Sequence, residues 1–209
     1  MGWQNLVREE SSTTALTGPR VVASMPLGFR ATLLERGQWA AVHAALEARD
    51  PEASVLLEEL RRTDWLPLSA HVSLVEAAAQ VVGLEGVRSL GALRTQESIM
   101  GGLFPNLLRS WVRSFRDDPR SLAHIGPQIW QTGFREAGEF FIDEVRPTGL
   151  SLRIAGCPAM ATSSAWQHLM EGSSMGILLL AGRRAHATFT GDGVSTTIGE
   201  LEWDAPMGS

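Results

Sequence analysis

Few side chains in this sequence could carry out covalent chemistry, and they are widely spaced. The single cysteine, Cys157, ends an apolar segment and precedes Pro158, and His168 lies in the next predicted helix. A thiol within hydrogen-bond reach of an imidazole can act as a nucleophile. A cysteine between an apolar strand and a proline is more typical of a buried, unreactive thiol. We therefore keep a thiol-dependent enzyme using Cys157 as a lesser alternative and predict no catalytic residue.

The histidines and carboxylates show no metal-binding pattern. None of the five histidines stands three or four residues from another; they are His43, His71, His124, His168 and His186. Two histidines on one helix need that spacing to share a metal ion. Carboxylates near the first strand of the predicted sheet are Glu139, Asp143 and Glu144, and such residues usually face solvent. We predict no metal site and no cofactor.

The sequence contains no motif of a hydrolase or nucleotide site in its required context. Residues 172–176 match Gly-x-Ser-x-Gly, but they fall inside a predicted helix rather than at a strand-to-helix turn. A nucleophile elbow needs that turn. Phosphate-loop and dinucleotide fingerprints are absent as well. The sequence therefore favours a protein that binds over one that catalyses.

A row of arginines could form an anion site. They are spaced by four, three and four residues along the predicted helix from residue 105 and its exit, and they are Arg109, Arg113, Arg116 and Arg120. Residues three and four apart share a helix face. Acidic residues at 117 and 118 can balance them, so a solvated face is the favoured interpretation and an anion site the alternative.

Aromatic residues supply candidates for an apolar pocket. The sequence contains seven tryptophans, and an indole offers both an apolar wall and one N–H donor. Core packing uses the same residues, so composition does not separate the two roles. The candidate pocket-lining residues are Trp65, Trp111, Phe115, Trp130, Phe134 and Trp166.

Composition and charge are those of one ordinary globular domain. The 209 residues are 44% hydrophobic and 20% charged, enough for one sizeable core. The net charge of −5 gives no general attraction to nucleic acid or anionic lipid. A lone cysteine fits a reducing compartment, and no signal peptide or stretch of roughly 20 apolar residues is present. We expect a soluble, cytoplasmic protein without nucleic-acid or membrane partners.

Apolar spacing divides the chain into an arm and one domain. Residues 1–19 are predicted to be a flexible N-terminal arm unless Trp3 and Leu6 dock, and residues 20–209 a single domain. Helical spacing extends from about 29 to 46 with a break at Gly37, and Asp50 with Pro51 predicts a new helix start. Further helices are predicted from 69 to Gly83, from 86 to 99, from 105 and from 119. The first two thirds should be helical, with Val55 among the inward-facing residues.

The pattern changes to strands after residue 138. Alternating segments flank residues 146–149 and residues 191–193, two turn signals at hairpin spacing, and Ser163 or Ser164 can cap a helix between the hairpins. The C-terminal third is therefore predicted to be β-β-α-β-β. The expected fold is α+β, with a helical N-terminal layer packed on a four-stranded antiparallel sheet and no strand before residue 100.

This element order resembles the superfamily of heme-NO-binding domains, the 4-vinyl reductase-type small-molecule domain and the TRAPP transport-particle subunits. In detail the sequence resembles a domain that recurs in many copies in myxobacterial genomes. The stretches that carry the resemblance, within about 25–204, are residues 64–67, Asp118 with Pro119, residues 154–158, Trp166 to Gly172, Gly176, and Ala181 with Gly182.

The resemblance implies a regulatory or sensory domain, often dimeric, with an apolar cavity between helices and sheet. Heme-NO-binding domains hold the propionates with a Tyr-x-Ser-x-Arg motif, and this sequence has no tyrosine. We therefore do not expect heme. The predicted function is non-enzymatic binding of a small apolar ligand, with a dimeric protein-interaction module as the alternative.

A homodimer is also expected from adjacent leucines on the predicted helices. Neighbouring helix residues differ by about 100° in direction, so one leucine of each pair turns partly outward. The pairs are Leu33 with Leu34, Leu56 with Leu57, and Leu107 with Leu108.

Overall fold

The computed structural model describes residues 17–101, 113–114 and 118–204. The helices are α1 (Ser24–Glu35), α2 (Trp39–Arg49), α3 (Pro51–Glu59), α4 (Leu68–Gly101), α5 (Leu122–Gly133), α6 (Pro158–Ala161) and α7 (Ser164–Leu180). The strands are β1 (Arg20–Val22), β2 (Trp65–Pro67), β3 (Phe134–Arg135), β4 (Glu139–Arg146), β5 (Gly149–Ala155), β6 (Ala185–Gly191) and β7 (Thr196–Trp203). A 3-10 turn, Pro119–Ser121, precedes α5.

Capping side chains set several helix starts. The Asp50 carboxylate accepts the Ala53 N–H at 3.0 Å at the start of α3, and it also accepts the Ser73 hydroxyl of α4 at 2.7 Å. Ser163 accepts the Trp166 N–H at 3.3 Å at the start of α7. Both positions confirm the helix starts expected from the sequence, because these residue types satisfy free amides of a first turn.

The backbone of α4 is interrupted at Gly83. This residue has φ 73° and ψ 169°, a conformation that glycine adopts without the steric penalty of a side chain. The interruption confirms the predicted end of one helix there and the start of another.

Strands β4 to β7 form the predicted antiparallel sheet, in the order β4-β5-β7-β6. The hairpins turn at residues 147–148 and 192–195. In the second turn Asp192 Oδ1 accepts the amides of Val194, Ser195 and Thr196. The α+β fold class is confirmed, although the one-turn helix α6 joins α7 between the hairpins.

A second, three-stranded antiparallel sheet was not predicted. Its order is β2-β1-β3, and Val21 at its centre pairs with Leu66 and Phe134. Two of these strands lie before residue 100, so the expectation that no strand precedes residue 100 was wrong. Each strand has only two or three residues, too few to display the alternation that identifies a strand.

The helices and the large sheet share one hydrophobic core. Helix α7 packs on the sheet with one side and crosses α4 with the other. The crossing is close, because a Cβ added to Gly172 would overlap the carbonyl oxygen of Arg88. On α3 the buried residues include Ala53 and Leu57, whereas Val55 is 55% exposed. The inward orientation predicted for Val55 was therefore wrong.

A buried carboxylate joins these layers. Glu171 of α7, 4% exposed, accepts the Phe189 N–H of β6 at 3.1 Å and two N–H groups of Arg88 on α4 at 2.8 and 2.5 Å. Its hydrogen bonds therefore connect both helices to the sheet.

The predicted helix beginning at Pro105 lies almost entirely outside the described residues. Among the helices that are described, none is long and apolar enough to cross a membrane.

Candidate functional site

A series of aromatic rings passes from the helices to the large sheet. In spatial order its members are Phe29, His71, Trp166, Phe134, Trp130 and Phe140, and we call it the aromatic series. Neighbouring ring centroids lie 6.4, 5.2, 6.2, 4.2 and 5.7 Å apart in that order. These separations fall within the range of favourable aromatic contacts. The series therefore links α1 and α4, through α7, to α5 and β4.

The inner part of the series contains two polar atoms without a hydrogen bond. Trp166 is 1% exposed and His71 2% exposed, and neither Trp166 Nε1 nor His71 Nδ1 has a partner among the described residues. Burial lowers the pKa of His71 to about 3, so the imidazole is neutral at physiological pH. Two neighbouring buried side chains that each leave a polar atom without a hydrogen bond are unusual in a core.

The outer end of the series opens into a groove between α5 and β4. The groove, which we call the α5–β4 groove, has a volume of about 280 Å³ and is lined by Pro127, Trp130, Gln131, Gly138, Glu139, Phe140 and Phe141. Trp130 and Phe140 supply its apolar surface, and the exposed Gln131 and Glu139 stand on opposite walls. The groove therefore combines an aromatic wall with a polar rim, as small-molecule sites commonly do.

Local backbone geometry fixes the groove walls. Trp130 Nε1 donates to the Gly138 carbonyl at 3.4 Å, which ties the α5 wall to the start of β4. Gly138 has φ 80°, and a Cβ there would overlap the Ala155 carbonyl oxygen. Only glycine fits this junction without strain.

The structure brings together three of the six candidate pocket residues. Trp130, Phe134 and Trp166 belong to the aromatic series, and Trp130 also lines the groove. Trp65 lies apart on β2, where the Arg135 guanidinium stands 4.0 Å from its ring centroid. Trp111 and Phe115 lie outside the described residues.

Three site residues, His71, Phe140 and Gln131, were not predicted from the sequence. His71 lies one turn into α4, and Phe140 lies near the start of β4. Neither residue belongs to a sequence motif. Only the packing of distant elements identifies them, because His71 and Phe140 are connected through rings on α5, α7 and β3.

The structure does not join Cys157 and His168 as a nucleophile and base. Cys157 is 1% exposed, and burial raises the pKa of its thiol. His168 Nδ1 lies 2.9 Å from the Ser164 carbonyl oxygen of its own helix. No hydrogen bond connects Cys157 to His168 within the described chain, and a buried protonated thiol is a poor nucleophile.

Two of the four arginines of the predicted row are described. Arg113 is exposed, and Arg120 makes a bidentate ion pair with Asp118 at 2.9 Å. The pairing agrees with the solvated-face interpretation for Arg120. Arg109 and Arg116 lie outside the described residues. Nowhere in 17–101, 113–114 or 118–204 do three His, Cys, Asp or Glu side chains come together as a metal site.

A second opening, of about 510 Å³, lies at the far end of the large sheet. Its lining, rich in charged residues, is Arg146, Thr148, Gly149, Arg184, Ala185, His186, Glu202, Trp203 and Asp204. Arg146 is already paired with Glu200 at 2.6 Å. The lining contains two arginines, one glutamate and one aspartate, so the opening has no net preference for an ion of one sign.

The sequence matches no protein-family model and no curated protein. The fold, in contrast, is similar to solved H-NOX structures. The Fe(II) unliganded H-NOX protein from K. algicida has a TM-score of 0.61 at 12% identity, covering 90% of this chain and 98% of that one. An H-NOX protein from S. oneidensis in the Fe(II)NO ligation state has a TM-score of 0.56 at 11% sequence identity, covering 87% of this chain and 98% of that one.

A mutant H-NOX from T. tengcongensis gives a TM-score of 0.56 at 10% identity, covering 90% of this chain and all of that one. These likenesses concern the fold alone, and they agree with the α+β architecture expected from the sequence.

Proposed function

We propose that this chain is a regulatory or sensory domain that acts by binding a small apolar ligand in the α5–β4 groove. The observation that carries the proposal is the outer end of the aromatic series, where Trp130, 6% exposed, and the half-buried Phe140 line the groove. There Trp130 and Phe140 form an apolar wall at the junction of helix and sheet, and buried rings continue from it to the helical layer. A ligand at this wall would contact elements of both layers.

The groove suits a ligand of modest size. Its volume of about 280 Å³ lies just below the roughly 300 to 1,000 Å³ of typical small-molecule pockets. Trp130 and Phe140 favour apolar or aromatic surface, whereas Gln131 and Glu139 at the rim can orient one polar group. We therefore propose a compact ligand of one or two rings.

The described residues do not fit heme. The imidazole of His71 is buried and makes T-shaped contacts with the rings of Phe29 and Trp166, and the α5–β4 groove has no histidine or cysteine in its lining. The whole sequence has no tyrosine for the propionate motif. The ligand proposed here is therefore an organic molecule bound without iron, unlike that of the Fe(II) H-NOX proteins.

A dimeric interaction module is the second candidate. Several large apolar side chains of the helical layer are exposed, including Leu34 at 53%, Val55 at 55% and Val81 at 40%. Exposed apolar groups can mark a surface that another chain covers. The two candidates are compatible, because a sensory domain can transmit ligand binding through a dimer interface.

The remaining parts of the proposal rest on the resemblance and on the sequence. We place the protein in the cytoplasm as a single domain preceded by an N-terminal arm, and we place it with the myxobacterial domain within this superfamily. We assign it no catalytic activity, which the burial of Cys157 supports.

Native mass spectrometry of freshly purified full-length protein tests the function. We expect a fraction of the 22.6 kDa chain to carry a bound small molecule, and the same molecule to be absent from a Gln131→Arg variant. An arginine there can pair with Glu139 across the groove and close it. A Thr132→Arg variant, altered at the adjacent exposed position, should retain the bound mass. Clean apo protein in every preparation would count against the proposal.

A further inference from the structure

The described chain begins beside the α5–β4 groove. The Gly18 N–H donates to Glu136 Oε2 at 3.0 Å, and Arg20 forms an ion pair with the same carboxylate. Glu136 is two residues from Gly138, which lines the groove. Because consecutive Cα atoms are about 3.8 Å apart, the Cα of Glu136 lies within roughly 8 Å of the Cα of Gly138, and the Glu136 side chain spans the remaining distance to Gly18.

The sixteen residues that precede this point contain a short apolar cluster. Trp3, Leu6 and Val7 are spaced by three and four residues, the spacing with which a bound segment presents one apolar face to a groove. Between Val7 and Gly18 the sequence is mainly polar, with serines, threonines and two adjacent glutamates, and it also contains Ala15 and Leu16. An apolar end is therefore joined to the domain by a mainly polar connector.

The geometry permits Trp3 to reach the groove. An extended chain spans about 3.3 Å per residue, so the ten residues between Val7 and Gly18 can span about 33 Å, more than the path from Gly18 along the Glu136 side chain to the groove. A short tether gives an effective concentration in the millimolar range, so a weak contact suffices for occupancy. An indole also matches the aromatic wall of Trp130 and Phe140.

We infer that residues 1–16 supply an internal occupant of the α5–β4 groove, with Trp3 as the inserted side chain. The segment would then be the competitor that a ligand displaces, and this regulatory consequence rests on the proposed function. The docking itself does not depend on it. Ligand binding would release the segment and so change the exposure of the N-terminus.

Fluorine NMR of the full-length chain labelled with 5-fluorotryptophan tests the inference. Trp3 is assigned as the resonance lost in a Trp3→Phe variant. We expect this resonance to have a small solvent isotope shift in the unmodified chain, because docking shields the indole from water. In Gln131→Arg it should move to the position and isotope shift of exposed tryptophan, whereas Thr132→Arg should leave it unchanged.

Two results would overturn the docking. One is an exposed Trp3 resonance in the unmodified chain, and the other is a shielded resonance that Gln131→Arg does not change. Adding indole separates the two proposals. If indole releases Trp3, the docking proposal and the proposed ligand binding are both supported. If Gln131→Arg releases Trp3 but indole does not, the docking is supported and binding of small aromatic ligands in the groove is contradicted.

Discussion

At the scale of single residues, Cys157 distinguishes a binding protein from a thiol enzyme. Its thiol is buried, and desolvation raises its pKa, so the thiolate is scarce at neutral pH. We expect a thiol reagent at pH 7.5 to label Cys157 only after denaturation. Rapid stoichiometric labelling of the folded protein would restore the enzyme hypothesis.

His71 makes stability depend on pH. Its pKa is about 3 in the folded protein against 6.5 for an unperturbed histidine. Below pH 6.5 His71 binds a proton in the unfolded chain but stays neutral in the folded protein, so the free energy of unfolding falls as the pH falls toward 3. Between pH 7 and pH 5 the loss from this residue should be about 2 kcal/mol.

Urea unfolding of a His71→Phe variant measures this contribution. The variant should lose about 2 kcal/mol less than the unmodified protein between pH 7 and pH 5. His124→Gln, at an exposed position, should keep the pH dependence of the unmodified protein. Equal pH dependence in all three proteins would contradict the assignment.

At the scale of elements, Glu171 should be a main connection between α4, α7 and β6. Removing it leaves the buried Phe189 N–H without an acceptor, and an unsatisfied buried donor costs roughly 1–3 kcal/mol. We expect Glu171→Ala to lower the free energy of unfolding by about 2 kcal/mol or more.

Glu85 provides the matched control, since it pairs with the same guanidinium of Arg88 but is 76% exposed. Exposed pairs contribute about 0–1 kcal/mol, so Glu85→Ala should change the unfolding free energy much less in the same urea titration. Similar losses in both variants would show that Glu171 is not the connection proposed.

Local signals in the sequence account for most of the elements. Asp50, Ser163 and Gly83 each act on the backbone within a few residues, so helix starts and the break in α4 were predictable. The three-stranded sheet was not, because its strands are too short for a periodic pattern. Val55 was misassigned because α3 is only nine residues long, and such a helix contains too few apolar residues to define its buried face.

The candidate site was predictable only in part. Trp130, Phe134 and Trp166 were predicted as pocket residues from their type alone, since indole and phenyl rings commonly form both cores and pockets. The groove between α5 and β4 depends on how these elements meet, and no local sequence signal encodes that junction. The burial of His71 could not be predicted, because a single histidine adds nothing to the periodic apolar pattern that identifies a buried helix face.

At the scale of the whole molecule, the exposed side chains of the helical layer support the homodimer prediction. Leu33 is buried while its neighbour Leu34 is 53% exposed, as the 100° rotation between adjacent helix residues requires. We expect light scattering at micromolar concentration to give twice the 22.6 kDa chain mass, and a Leu34→Glu, Val55→Glu double variant to shift it toward one chain. A single-chain mass for the unmodified protein would contradict the dimer.

The central claim is that the α5–β4 groove binds a small apolar ligand, and isothermal titration with indole tests it most directly. The full-length protein and Thr132→Arg should bind one indole per chain with the same affinity. Gln131→Arg should bind at least tenfold more weakly, a difference of about 1.4 kcal/mol. Absence of saturable binding, or equal affinity in all three proteins, would contradict the claim.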